Sequence, residues 1–448
     1  GIEHQMVVGG RPLYALLTAL SFPHVGSLGS LAWLRLGSLL GMGVFAVLYT
    51  YHLVRNGMPK WVGWGIPLLT LCMPPFQVYA AWAVCWPYPW ATALAGSAFL
   101  LLESKAANSW RILLACLLLT AATTLYQPAA MMFWVFAAVA WLTPARAPSR
   151  RSVITIAIVA GMAMVVDFLL AKTFPELLFG TANHLSRTHL VTQPFVKMSW
   201  FFENPLLDAA NLPFIVPSSA FASGIMAWGV TGLLLYWRGV EPRAFLAKAG
   251  IALLLLPMSY LPNLLVAENW SSYRTQVALT SLILLYASMG MLGWLDLLRL
   301  RKITTGCVLT GIALVSFMAA TTVTREFALP QKEEWMLVAN AIEQAASSQQ
   351  SPATASRHVY FRLASYRDSL APVVRYGEFG LPSTSQPWVP TSMAWLMAHT
   401  DGIRAARKVA RHPVMSKREE KTSQLPSHSC VINLGRVLRG REVDCSRG

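Results

Sequence analysis

The run from Ile112 to Leu142 carries no charged residue, and Tyr126-Gln127-Pro128 interrupts it near the middle. As one straight helix it would measure about 46 Å, well beyond the ~30 Å hydrocarbon core of a bilayer. The flanking charges decide how it lies. Lys105 and Arg111 precede it, and Arg146, Arg150 and Arg151 follow it. Loops rich in Lys and Arg stay on the cytoplasmic side, so both ends belong there. The segment is therefore read as a hairpin of two spans, with Tyr126-Gln127-Pro128 as its turn at the far face. Each arm is short, so both are expected to extend into the neighbouring Ala-rich and Trp-bounded sequence. A phenol and an amide at membrane depth require surrounding protein or a wet cavity, because lipid offers them no hydrogen bonds.

The rest of the chain fits the same medium. It is 55% hydrophobic and only 12% charged, with a mean hydropathy of +0.47, whereas soluble domains carry roughly 25% charged residues. An all-α polytopic membrane protein is expected. A short interfacial or re-entrant helix runs to Phe22, and about ten spans follow, near 34–54, 62–85, 88–104, 109–126, 128–143, 153–174, 213–237, 249–266, 277–297 and 303–323. Alternate loops carry Arg55 and Lys60; Lys105 and Arg111; Arg146, Arg150 and Arg151; Arg238, Arg243 and Lys248; and Arg299, Arg301 and Lys302. The opposite side holds Arg11, Arg35, Lys172, Arg187, Lys197 and Arg274, spread over longer loops. This alternation is a topology signal. Much of the net charge of +16 is absorbed by it, and the remainder, in the tail, suits anionic lipid or phosphate better than nucleic acid.

Both the first residues and the tail then face outward, into the periplasm if the membrane is a bacterial inner membrane. Two domains are expected, a membrane-embedded 1–323 and a small C-terminal periplasmic 324–448. In the second, Pro330 and Glu333-Glu334 open an amphipathic helix to about Ala346, a Ser/Gln-rich linker runs to Arg357, and polar stretches such as 417–429 are expected to be disordered. Cys72, Cys85, Cys116 and Cys307 lie in apolar segments and read as small hydrophobes. Cys430 and Cys445 are the two in the polar tail; a disulfide between them and two separate thiols are both open readings. The chain opens on Gly1-Ile2-Glu3-His4 without a signal peptide, so an upstream segment is expected.

Candidates for chemistry are few. The loop from Phe174 to Pro213 holds Glu176, His184, Arg187, His189, Glu203 and Asp208, but no third ligand accompanies the two histidines at metal spacing, so an ordinary polar loop is expected. The loop Glu268-Asn269-Trp270-Ser271-Ser272-Tyr273-Arg274 is denser. Arg binds phosphate through paired hydrogen bonds, and aromatic faces stack on sugars; the bland alternative is an interfacial aromatic belt with a Glu268–Arg274 surface pair. Arg11 precedes Pro12 at a helix start, where the dipole disfavours a cation; an anion beside it and a mere accident of topology are equal readings. Asp167 lies inside a span, where a carboxylate needs a partner; Lys172 is the expected one, in a structural role. No dinucleotide, Walker, nucleophile-elbow or HExxH motif occurs, and no cofactor or metal is called for.

Four stretches together carry a family resemblance: Gly10-Arg11-Pro12-Leu13 before a short helix, Tyr126-Gln127-Pro128-Ala129 at an outer hairpin, an arginine in the next-to-last outer loop, and Tyr376-Gly377-Glu378-Phe379-Gly380-Leu381-Pro382-Ser383 in an outer tail. With these the chain resembles bacterial O-antigen glucosyltransferases of the Gtr type, within the GT-C superfamily. The resemblance implies transfer of a hexose, glucose above all, from a polyprenyl-phosphate carrier to O-antigen or a related lipid-linked glycan at the periplasmic face. It implies Arg11 and Arg274 at the donor phosphate, Tyr126, Gln127, Glu268 and Tyr273 at the sugar or acceptor, and a catalytic carboxylate ahead of Gly10-Arg11-Pro12. No Asp precedes Asp167, so that base is expected at Glu3 or upstream of residue 1. The rivals are a polysaccharide polymerase or ligase, which would want a larger outer loop rich in Arg and His, and a lipid-glycan transporter or flippase, which would want repeated halves.

Overall fold

The computed structural model describes residues 6–103, 108–143, 150–180, 189–300, 304–347, 359–400, 414–415 and 430–441. They divide into two compact units, Gly1–Phe22 with Trp33–Ala319 and Pro23–Ala32 with Ala320–Gly448. The helices are α1 Pro12–Ser21, α2 Leu28–Arg55, α3 Lys60–Leu71, α4 Pro74–Ala81, α5 Tyr88–Glu103, α6 Ser109–Ala130, α7 Met132–Leu142, α8 Arg150–Phe179, α9 Pro194–Glu203, α10 Pro205–Ala210, α11 Ser219–Tyr236, α12 Pro242–Met258, α13 Leu261–Leu265, α14 Val277–Leu297, α15 Thr304–Val323, α16 Leu329–Ser347, α17 Val389–Thr400 and α18 Leu434–Val437.

Among the described residues six helical runs are long and apolar enough to cross a membrane: Gly29–Arg55, Ser109–Ala130, Arg151–Leu178, Ser219–Tyr236, Tyr273–Leu297 and Val308–Ala345. The other expected spans fall on shorter helices. The one expected near 62–85 is two, α3 and α4, because Pro74 and Pro75 lack the N–H groups that would continue the ladder from Leu71 and instead begin a new helix.

The uncharged run from Ile112 to Leu142 does reverse direction. The backbone leaves helical geometry at Tyr126, with φ −163° and ψ 105°. At one end Glu103, the last residue of α5, meets His52 in the last turn of α2 and Asn56 just past it. The later arm returns to the same end: His52 Nε2 lies 2.8 Å from the Phe136 carbonyl, and Trp237 Nε1 donates to the Leu142 carbonyl at 2.8 Å. The bend itself lies among Tyr79 and Tyr88, at the opposite end of α5. The returning arm is α7, and every one of its eleven residues is buried. A helix apolar on all sides is enclosed rather than amphipathic. At about 16 Å it would be too short to span lipid by itself, and protein surrounds it instead. Gly96 of α5 lets the Phe136 ring approach to 2.6 Å of where a Cβ would stand, and Lys248 donates to the carbonyls of Trp141 and Thr143 at 2.9 and 2.7 Å. That places a cation at the C-terminal end of α7, where the dipole favours it.

Helices α11 and α14 run parallel and touch through glycines. Gly229 faces Ala287, Gly232 faces Gly290, and Gly293 packs on Gly232 and Tyr236. Small residues permit such backbone approach, the usual device where lipid removes the hydrophobic drive for association.

The second unit departs from an all-α expectation. Strands β1 Val359–Arg362, β2 Val414–Met415 and β3 Cys430–Asn433 form a parallel sheet in the order β2-β1-β3. Phe361 and Ile432 of that sheet are buried with Val338 and Ile342 of α16 and Met397 of α17. Tyr376 and Gly377 both take positive φ, 55° and 66°, and Arg375 pairs with Phe379 across them. Beyond this turn, Glu334 accepts hydrogen bonds from the Ser383 and Thr384 amides at 2.9 and 2.8 Å. The Tyr376–Ser383 stretch is thus a tight turn that organises this unit. Cys430 is disulfide-bonded; Cys445, and the 417–429 stretch expected to be disordered, lie outside the described residues.

Candidate functional site

The first unit encloses a cavity of about 390 Å³ at the bend of the hairpin, lined by Gly10 and Arg11 before α1, Tyr126, Gln127 and Met131 at the bend, Asp167, Phe168 and Lys172 of α8, and Glu268, Trp270 and Arg274 of the loop before α14. Arg11, Tyr126, Gln127, Glu268 and Arg274, far apart in sequence and expected to act together, share this one space. Tyr273 does not line it. Its hydroxyl donates to the Ile215 carbonyl at 2.8 Å, because residues 273–276 form a 3₁₀ turn, in which consecutive side chains point about 120° apart. Arg274 faces the cavity and its neighbour packs away from it. Glu3, His184 and Arg187 lie outside the described residues, and no cluster of metal ligands occurs among those described.

Each arginine rests on an aromatic face. The Arg11 guanidinium carbon is 4.6 Å from the centre of the Tyr126 ring, and Nη1 lies 3.4 Å from the Tyr88 hydroxyl. Tyr88 and Tyr126 stack at 3.9 Å and 7°, so the extended backbone at Tyr126 slides its ring between Tyr88 and Arg11. The Arg274 guanidinium carbon is 4.9 Å from the Trp82 ring. Below it, the Tyr79 hydroxyl donates to the Arg274 carbonyl at 3.1 Å, and a reciprocal cap between Ser272 and Thr275 fixes the turn. Both guanidinium groups line the same cavity. Two like charges that share one cavity favour an anion between them. Stacking guanidinium on an aromatic face orients its fork while leaving the hydrogen-bond edge available. Tyr88 and Trp82 went unnoticed in the sequence because they sit in the Trp/Pro-rich stretch 82–90, which reads as ordinary packing.

Asp167 has a different partner from the one expected. Its Oδ2 accepts from Gln127 Nε2 at 3.2 Å, and that same amide donates to the Gly10 carbonyl at 2.7 Å. Lys172 is instead 5.9 Å from the Phe168 ring. Residues five apart are separated by about 140° around a helix and do not share a face. Gly10 is required at its position: with φ +76° and Ala171 at 3.1 Å from a notional Cβ, another residue would push the Gly10–Arg11 turn off α8.

Lys197 of α9 is also missed by the sequence. Nζ donates to the Glu268 carbonyl at 2.6 Å and to Asn269 Oδ1 at 2.9 Å, over the Trp200 ring at 4.3 Å. It ties down the loop that carries Glu268 and Trp270. Desolvation lowers its pKa to about 8, opposed by the charge of Glu268. The unfolded chain holds this proton up to about 10.5, so between the two values folding releases it. Stability is therefore expected to rise with pH across that window. In a detergent-solubilised sample, the melting temperature of the parent minus that of Lys197→Met should climb between pH 8 and pH 10, and a falling difference would show that the loop carbonyls favour the ammonium instead. Opposite this clamp, Val191 N donates to the Leu265 carbonyl at 2.8 Å and Ala267 N to the His189 carbonyl at 2.9 Å, closing one wall. No family model, no curated protein and no solved structure matches the chain.

Proposed function

We propose that this cavity holds the head of a polyprenyl-phosphate sugar, and that the protein transfers the hexose to a hydroxyl of a lipid-linked glycan, as a GT-C-type glycosyltransferase of a bacterial inner membrane whose cavity and C-terminal unit face the periplasm. One observation carries the reading. The same space joins a polar end, with two guanidinium groups held on aromatic faces, to a wall on which Val165, Phe168, Leu190 and Leu265 are exposed. An amphiphile with an anionic head and an apolar tail suits both parts. Bound arginines also stabilise the phosphate as it departs, because they are in place before charge develops there. Carboxylates beside them, Asp167 and Glu268, suit hydroxyl groups.

Undecaprenyl phosphate, the product side of such a transfer, should bind the protein in nanodiscs and alter tryptophan fluorescence, since Trp82 and Trp270 border the site. Binding should weaken at least about tenfold in Arg11→Ala and in Arg274→Ala. Equal binding by parent and both variants would remove the proposal. Binding without any transfer of a labelled hexose would point to a transporter.

A further inference from the structure

Two hydrogen-bonding atoms at this site are left over by the protein. Among the described residues, neither Arg11 Nε nor Asp167 Oδ1 has a partner, and both atoms are buried. Groups in that condition are destabilising unless something else satisfies them. One is an obligate donor, and a carboxylate is an obligate acceptor when ionised. They are also held in fixed relation, because the Gln127 amide bridges the Gly10 carbonyl, one residue before Arg11, to Asp167 Oδ2. A ligand answering both must place an oxyanion and a hydroxyl donor close together. A fully ionised lipid phosphate supplies only the first; a glycosyl phosphate supplies both.

We propose that Asp167 is the residue that recognises the transferred sugar: its free carboxylate oxygen accepts a hydrogen bond from one sugar hydroxyl while Arg11 holds the phosphate, so that the cavity selects a glycosyl-phosphate lipid over the bare lipid phosphate. This rests on the reading of the cavity as a polyprenyl-phosphate site. Gln127 is a positioning residue in it, fixing Asp167 to the Gly10–Arg11 turn. The assignment replaces the purely structural pairing with Lys172 expected for Asp167, and it explains why a carboxylate is kept inside a span, where an unpaired one is expensive.

The experiment measures two ligands on each protein: undecaprenyl phosphate and undecaprenyl-phosphate glucose, in nanodiscs. The parent should bind the glucosylated lipid about tenfold to a hundredfold more tightly than the bare phosphate, the range of a hydrogen bond to a charged group. Asp167→Asn should lose most of that advantage while binding the bare phosphate as well as the parent or better, because a negative charge near the phosphate has been removed. Monodeoxy-glucose lipids, tested on the parent, need no folded variant: one of them should bind as weakly as the full sugar binds Asp167→Asn, and Asp167→Asn should be indifferent to that deletion. If Asp167→Asn keeps the full sugar advantage, or weakens both ligands equally, or if no deoxy position matters to the parent, the assignment is overturned while phosphate binding still stands. If the parent binds neither lipid, the polyprenyl-phosphate reading itself has failed.

Discussion

If the cavity carries out the proposed transfer, hexose transfer from undecaprenyl-phosphate hexose is expected to fall about 10²- to 10³-fold in Arg274→Ala, the range for removing one preorganised donor from a site of developing negative charge. Arg274 is held at three levels: a capped 3₁₀ turn, a main-chain carbonyl bonded by Tyr79, and a ring face under the guanidinium. In the proposed reaction such a group would stabilise the leaving phosphate without reorganising. Arg274→Lys should recover little of the loss, because an ammonium keeps the charge but has neither the planar fork nor the same stacking on Trp82. Arg11→Ala should cost a comparable factor. The double variant should lose less than the product of the two single losses, since both cations act on one phosphate and their effects are coupled. The measured quantity is kcat/KM for the donor, with the melting temperature as a control for folding. Single variants within about threefold of the parent, at unchanged melting temperature, would dissociate these arginines from the chemistry.

Those residues were legible because each broke a local rule. Tyr126-Gln127-Pro128 interrupts an uncharged run, and a polar bend there has to be satisfied by something; the structure supplies Gly10, Asp167 and Arg11. Arg11 sits at a helix start where a cation is disfavoured. Arg274 lies among aromatic and carboxylate residues in a short loop. What was not legible depends on three-dimensional pairing that no period encodes. The contact of Asp167 with Gln127 joins residues forty apart, and the sequence offers Lys172 as a nearer but misdirected candidate. Lys197 reaches across seventy residues to a carbonyl oxygen, which every residue possesses and which leaves no mark in composition. The sheet of the second unit is built from strands of four, two and four residues, too short to show alternation. The break between α3 and α4 did have a signal, the Pro74-Pro75 pair, which hydropathy overrode.

Gly232→Leu is expected to abolish the folded first unit. A Cβ at Gly232 would stand against the Gly290 Cα and within 2.6 Å of its carbonyl carbon and oxygen. The obstacle is backbone, so no rotamer change relieves it, unlike the overpacking of a side-chain core, which typically costs about 1–3 kcal/mol. Gly293 meets the same face one turn further along, so α11 and α14 cannot shift along their common axis to escape. Even Gly232→Ala should cost ~3 kcal/mol or more, and the bulkier leucine should exceed the roughly 5–15 kcal/mol by which ordinary proteins are stable. Gly224 provides the internal control: it lies on the same helix with open space around its notional Cβ, and Gly224→Leu should elute and melt like the parent. The site should feel the alanine variant too. Helix α14 continues directly from the turn that carries Arg274, so prising α14 from α11 displaces the Arg274 guanidinium from Trp82. Surviving Gly232→Ala protein should therefore bind undecaprenyl phosphate several-fold more weakly than Gly224→Leu does, although neither glycine lines the cavity. A Gly232→Leu protein that elutes as the parent and keeps its melting temperature would show that these two helices are not held by backbone contact.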